Sequence, residues 1–326
     1  VQRLVAIGRL VPAVSHDHES VGIEVVLLDQ RVLHRVGARA LGVGHAEQPA
    51  DVDGLARGVE HVGGSGRRDG DAERAHDPIE VDHRTTAGRL GHLGGDVTLR
   101  TLSDFKGDEL VARFMDLIDQ HNPIHVSIVG GEPLVRYREL NTILPKLSER
   151  GIHTQLVTSA VRPIPQEWAA LKRLQLVVSI DGLQPEHDVR RTPATYDRIL
   201  KHIEGHQMTV HCTITRQQVR REGYLEEFLQ TWQNNPNTRL IWFSLYTPQK
   251  GELSEERLTK ADRERVVEWL RANRTRFPKL QMLDGMLNVY AEPPRDPDDC
   301  VFAQTTECYS SDLQRHITPC QFGGNP

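Results

Sequence analysis

Cysteine is scarce in this 326-residue chain: there are four, and none precedes Cys212. So few thiols exclude a disulfide-stapled scaffold, and upstream of Cys212 no thiolate is available to hold a metal or a cluster. Aromatics are missing outright from residues 1–100, as are Lys, Asn and Met, while that stretch carries 15 Gly, 12 Arg and 8 of the 16 His. Such a segment has too little apolar bulk to offset chain entropy, and runs such as Gly63-Gly64-Ser65-Gly66-Arg67-Arg68-Asp69 follow neither a helical nor a strand period. No stretch reaches the roughly 18 apolar residues of a membrane span. No basic start followed by an apolar run and a cleavage site marks a targeting signal, so the chain reads as a cytoplasmic protein without a membrane partner. Neither sign of charge dominates: 40 Lys and Arg face 45 Asp and Glu, a net charge of -5 with no basic stripe. Nucleic acid therefore has no footing as a major partner.

The change of alphabet near residues 98–105 divides the chain into three expected parts. Residues 1–100 are read as an aberrant segment, disordered or translated from a wrong frame or a misplaced start, with the valine-rich stretch at residues 25–33 as the place where a stray strand can form. Its histidines, among them His16, His18, His76 and His83, have no supporting fold and read as solvated side chains. Residues 101–280 carry regular periodicity and form the core. Residues 281–326 are a short extension holding Cys300, Cys308 and Cys320.

In the core one plan repeats: strand, loop, helix. Leu110, Phe114, Leu117 and Ile118 lie on one face of a helix that ends near Asn122-Pro123. Strands follow at residues 124–129, 152–158, 174–180, 208–215 and 239–246. Helices fall at 136–150, in a short piece after Pro165, at 194–206, 224–232 and 260–276. Crossovers of this length join parallel strands, which predicts an α/β fold, a partial (β/α)6 TIM-like barrel with a parallel sheet and a missing or aberrant first strand. Trp168, Trp232, Trp242 and Trp269 sit within or beside these elements and read as core rather than as a platform for bases.

In such sheets ligands lie at the carboxyl ends of the strands. The apolar run Ile128-Val129 enters Gly130-Gly131-Glu132-Pro133 at one of those ends. Two glycines let a ligand approach the backbone, proline stops the strand, and the carbonyls and carboxylate suit a small cation. A plain strand-ending turn would use the same residues. Thr158-Ser159, Ser179 to Gly182 and Thr213 to Thr215 fall at the other strand ends and should meet Glu132 at one mouth.

Together these residues resemble the core of the radical S-adenosylmethionine enzymes over residues 106–250. Val126 to Leu134 is similar to the family's glycine-glycine-glutamate-proline strand, which binds the amino group of the methionine moiety. Val178-Ser179-Ile180-Asp181-Gly182, with His187-Asp188 and Arg191, resembles a fourth-strand signature of members that modify peptides and proteins, where serine and arginine hold the methionine carboxylate. Val157-Thr158-Ser159 stands where the family often has threonine-asparagine. The resemblance implies a cofactor-binding set of Gly130, Gly131, Glu132, Pro133, Ser159, Ser179, Asp181, Arg191, Thr213 and Thr215. It also implies a peptide or protein substrate, an electron donor such as flavodoxin or ferredoxin, and a [4Fe-4S] cluster on three cysteines spaced by three and two residues. The chain has no such cysteines, so the expectation is a protein that as written does not cleave S-adenosylmethionine to a 5'-deoxyadenosyl radical.

At the other end, Cys308 and Cys320 bracket a small predicted hairpin, and loop-clustered cysteines of this kind suggest metal or iron-sulfur ligation more than disulfides. Ile317-Thr318-Pro319-Cys320 resembles the end of an auxiliary-cluster extension of the SPASM type, which implies Cys300, Cys308 and Cys320 as ligands; free thiols are the plain alternative. Cys212, inside an apolar strand, reads as core. Two other functions stay open at this point: a cluster-less S-adenosylmethionine-binding protein, and a barrel hydrolase or isomerase using Glu132 or Asp181 with His187.

Overall fold

The computed structural model describes residues 23–29, 105–247, 253–294, 305–314 and 316–317. The expectations for the rest of residues 1–100, and for Cys300 and Cys320, lie outside the described residues.

Five parallel strands carry the fold: β2 (Pro123–Gly130), β3 (His153–Thr158), β4 (Leu174–Ser179), β5 (Met208–Ile214) and β6 (Thr238–Leu245). They pair in sequence order, each parallel to the one before it. The valine-rich stretch forms β1 (Ile23–Asp29), antiparallel to β2, and beyond it lie β7 (Thr306–Tyr309) and β8 (His316–Ile317), the expected hairpin. The sheet order is β6-β5-β4-β3-β2-β1-β7-β8, an open, mostly parallel sheet consistent with a partial TIM-like barrel. Where a parallel first strand was expected to be missing or aberrant, an antiparallel one stands.

The connecting helices are α1 (Gly107–His121), α2 (Tyr137–Glu149), α3 (Glu186–Arg191), α4 (Tyr196–His202), α5 (Arg216–Arg220), α6 (Tyr224–Asn234), α7 (Lys260–Asn273) and α8 (Asp284–Ala291). Helix α1 stops as predicted, with Asn122 in the left-handed region at φ 44° and its N–H on the carbonyl of Ile118. The long helices match their periodicity. The helix expected at 194–206 is only α4, and the end of the one expected at 260–276 tightens into a 3₁₀ turn at Arg274–Arg276.

Strand alternation gives the sheet two unlike faces. One carries Val126, Ile128, Leu156, Leu176, Val178, Val210, Ile241, Cys212 and Phe243, which join the core with Phe114, Leu140, Ile143, Phe228 and Trp232 from the helices. Burying a side chain such as Phe114 stabilises the fold by about 1.5–3 kcal/mol. The register fixes the opposite face as well: Ser127, Gln155 and Gln175 lie side by side, then Val177 beside Thr209, Ser179 beside His211 and Trp242, and Thr213 beside Ser244. This second face is polar and also buried: Gln155 and His211 are 0% exposed. Polar residues at enclosed strand positions are costly unless something uses them, which directs attention to this face and its carboxyl-terminal rim.

Candidate functional site

The rim begins at the end of β2. Gly130 has φ 130°, a conformation L side chains rarely adopt, and it turns the chain so that Glu132 folds back over the sheet edge. The Glu132 carboxylate accepts four hydrogen bonds. Oε1 takes the N–H of Leu134 at 2.9 Å and the hydroxyl of Thr158 at 2.5 Å; Oε2 takes the N–H of Ser159 at 2.8 Å and the Ser159 hydroxyl. Pro133, buried, opens the 3₁₀ turn Pro133–Arg136 that Glu132 caps, and Gly131 stands exposed beside it. Glu132 is thus a clamp between the ends of β2 and β3, and Ser159 occupies its place through side chain and backbone together.

A second cluster sits at the end of β4. Asp181 is enclosed, and its Oδ2 accepts from Arg191 Nε at 2.7 Å and Arg190 Nε at 3.0 Å, while Oδ1 accepts from the Thr213 N–H at 3.3 Å. Burial alone would raise its pKa; Arg191 first, then Arg190, overcome that and hold the carboxyl at about 2. Arg191 Nη2 also lies 2.7 Å from Oδ2, but it is not aligned for a hydrogen bond, so that atom, like Arg190 Nη2, is buried without a hydrogen-bond partner. The other guanidinium arm of Arg190 pairs with Glu256. Around this ion cluster the backbone is pinned: the Asp181 N–H donates to His187 Nδ1 at 3.1 Å, and its carbonyl accepts from Gln218 Nε2 at 2.9 Å. His187 Nε2 reaches the Ala194 carbonyl at 3.0 Å, so both ring nitrogens serve the backbone.

The remaining predicted residues divide. Ser179 is buried in register with His211 on the polar face. Thr213 lies on the same face with its hydroxyl unpartnered. Thr215 is the N-cap of α5, closed by a capping box with Gln218. The structure therefore brings Glu132 together with Ser159, and Asp181 with Arg191 and Thr213, along the ends of adjacent strands β2 to β5. Cys308 stands away from them, on β7 opposite Val26, and among the described residues no group of three or more potential metal ligands occurs. Three participants escaped the sequence reading: Arg190, Gln218 and Glu256. Arg190 sits next to the residue that was chosen, and its own signal, a second arginine in tandem, was present.

No family model matches the sequence. A 69-residue stretch is 35% identical to the 7-carboxy-7-deazaguanine synthase of Hyperthermus butylicus, covering 21% of this chain and 29% of that protein. Among solved structures the chain is similar to Streptococcus suis SuiB bound to S-adenosylmethionine, with 20% identity, a TM-score of 0.46, and coverage of 59% of this chain and 47% of that one. It is also similar to anSMEcpe with bound AdoMet, with 15% identity, a TM-score of 0.43, and coverage of 52% of this chain and 49% of that one. The chain spans less than half the length of each of these proteins.

Proposed function

We propose that this chain is a radical S-adenosylmethionine-type fold that binds S-adenosylmethionine along the carboxyl ends of β2 to β5. The observation that carries the reading is the rim itself: one carboxylate clamp at Glu132, joining the ends of β2 and β3, and one guanidinium pair at Arg190 and Arg191, held by Asp181 at the end of the next strand, β4. The local likeness to a 7-carboxy-7-deazaguanine synthase supports the family and, over 69 residues, names no substrate.

S-adenosylmethionine carries an ammonium and a carboxylate at one end and a nucleoside at the other. The ammonium meets Glu132 and the carbonyls near Gly130 and Gly131. Two of the four donors on Glu132 are hydroxyls, which can rotate to accept from an ammonium, while the N–H groups of Leu134 and Ser159 keep the carboxylate in place. The ligand carboxylate meets Ser179 and Arg191, whose Nη2, with that of Arg190, has donors to spare beside Asp181. Thr213 and the strand end up to Thr215 line the nucleoside. Pro133 holds the turn, and Asp181 holds the arginines.

Among the described residues the thiols, Cys212 and Cys308, do not fit a [4Fe-4S] cluster at this rim. No cysteine precedes Cys212, and Cys212 lies 1% exposed on the apolar face of β5, its thiol pushed well up by burial. The residues of the rim supply binding and orientation. A barrel hydrolase reading, by contrast, loses its base, because His187 has committed both nitrogens to backbone groups.

Isothermal titration with S-adenosylmethionine tests the reading. Saturable binding that weakens at least tenfold in Glu132→Gln and in Arg191→Lys is expected; absence of binding, or binding indifferent to both changes, contradicts it.

A further inference from the structure

The rim holds one carboxylate that the cofactor assignment does not use. Glu256 sits on the turn 254–257 between β6 and α7, and its Oε1 accepts a hydrogen bond from Arg190 Nη1. The backbone of that turn is fixed without help from the side chain: the Glu256 carbonyl accepts the Arg216 N–H at 3.0 Å, and the Glu256 N–H donates to Ser254 Oγ at 3.1 Å. The carboxylate can therefore turn about its side-chain bonds while the turn stays docked on the start of α5. Water is within its reach, because its side chain is 28% exposed, against 11% for Arg190 and 0% for Asp181.

Charge counting shows what this contact does. Arg190 and Arg191 bring two positive charges to the end of β4, and Asp181 and Glu256 bring two negative ones. His187 and His211 add none at neutral pH, since burial holds both rings below the ordinary histidine value. The next cation, Arg216, is paired with Asp262. The cluster is thus balanced as it stands, and a third carboxylate would leave an uncompensated negative charge in a largely enclosed place, which is costly. Once Glu256 swings out to water, two guanidiniums again face two carboxylates. Hydrogen bonding favours the exchange as well. Glu256 engages Nη1 of Arg190, while Nη2 of both arginines stays buried without a hydrogen-bond partner. A carboxylate that reaches either Nη2 satisfies a donor that Glu256 does not.

We propose that Glu256 is a built-in competitor for the anionic end of the ligand: it occupies the Arg190 arm and must leave before a carboxylate can settle on the arginine pair. Calling that carboxylate the one of S-adenosylmethionine rests on the proposed function; the competition itself does not. A tethered carboxylate competes at an effective concentration on the order of millimolar or above. Small free acids are therefore shut out, and a ligand displaces Glu256 only when other contacts along the rim hold it in place.

Two titrations of the full chain test this. In the first, acetate replaces chloride at constant pH and ionic strength, and nitrogen NMR follows the side-chain Nε–H of Arg190, with Arg190→Lys supplying the assignment. Glu256→Gln should respond saturably at roughly tenfold lower acetate concentration than the native chain, the worth of one hydrogen bond to a charged group. In the second, calorimetry compares S-adenosylmethionine with its decarboxylated form, which keeps the sulfonium, the amine and the nucleoside. Glu256→Gln should tighten S-adenosylmethionine roughly tenfold and give the decarboxylated ligand no gain. No acetate response in Glu256→Gln, equal responses in the two chains, or an equal gain for both ligands overturns the proposal. Loss of the native fold in Glu256→Gln overturns it too, because the residue would then be structural. If S-adenosylmethionine binds neither chain, the cofactor reading fails, and the acetate titration still decides the competition.

Discussion

Arg191 donates its Nε proton to the enclosed carboxylate of Asp181 at 2.7 Å, ten residues earlier in the chain, so the arginine proposed to hold a ligand carboxylate is itself already held. With both side chains buried, and Arg190 sharing the same oxygen at 3.0 Å, the cluster is rigid before any ligand arrives. Preorganised donors of this kind lose little on binding.

The Asp181 cluster makes stability depend on acid pH. The folded carboxyl, at about 2, lies below its ordinary value of 3.8, so the stabilisation is complete above about pH 4 and is lost as pH falls through 2. The contribution is about 2 kcal/mol. Acid unfolding followed by circular dichroism should lose this increment between pH 4 and 2. Asp181→Asn should remove the pH-dependent increment and, by stranding the buried guanidinium of Arg191, destabilise the fold by about 3–5 kcal/mol at neutral pH.

Glu132→Gln keeps the shape of the clamp but turns one acceptor into a donor. Two of the four groups facing it are backbone N–H, which cannot reverse. Chemical denaturation should report a loss of about 1–3 kcal/mol. Ser159→Ala, which removes one rotatable donor and leaves both backbone bonds, should cost less than Glu132→Gln; the reverse order would contradict the clamp.

Gly182 has φ 156°, and a methyl group there would lie 2.8 Å from the Tyr224 hydroxyl, which accepts the Leu183 N–H at the same distance. Gly182→Ala should therefore break that bond and shift the loop that carries Asp181, with a stability loss of about 1–3 kcal/mol. Tyr224→Phe combined with Gly182→Ala should recover part of it, because the hydroxyl is the atom in the way.

The Cys212 thiol is enclosed and its pKa pushed well up by burial, so it should resist iodoacetamide in the native chain and react only on unfolding. Peptide mapping by mass spectrometry reads this residue apart from the other three cysteines. Fast native alkylation of Cys212 would contradict its enclosure in the core.

Much of this was written in the periodicity. The five parallel strands and the long helices α1, α2, α6 and α7 declare themselves because an amphipathic stripe of three or more turns repeats enough to be read. Helices α3 and α5 have six and five residues, too short for a period, and they escaped; α8 has eight and escaped for the same reason. Strand β1 is rich in valine and leucine in any direction, so sequence placed a strand near residues 25–33 without showing that it would run against β2. At the rim, Glu132 with Ser159 could be anticipated because both end neighbouring strands. The Asp181–Arg191 pair could not, since nothing in the spacing tells a carboxylate that serves an arginine from one that serves a ligand.

Backbone amide exchange with and without S-adenosylmethionine tests the central claim most directly, because it reads all the strand ends at once. Convergence on one ligand predicts added protection at Gly131, Ser159 and Thr213 together, with the helix amides of α1 and α6 unchanged. Protection confined to one strand end, or none at any of the three, would contradict it.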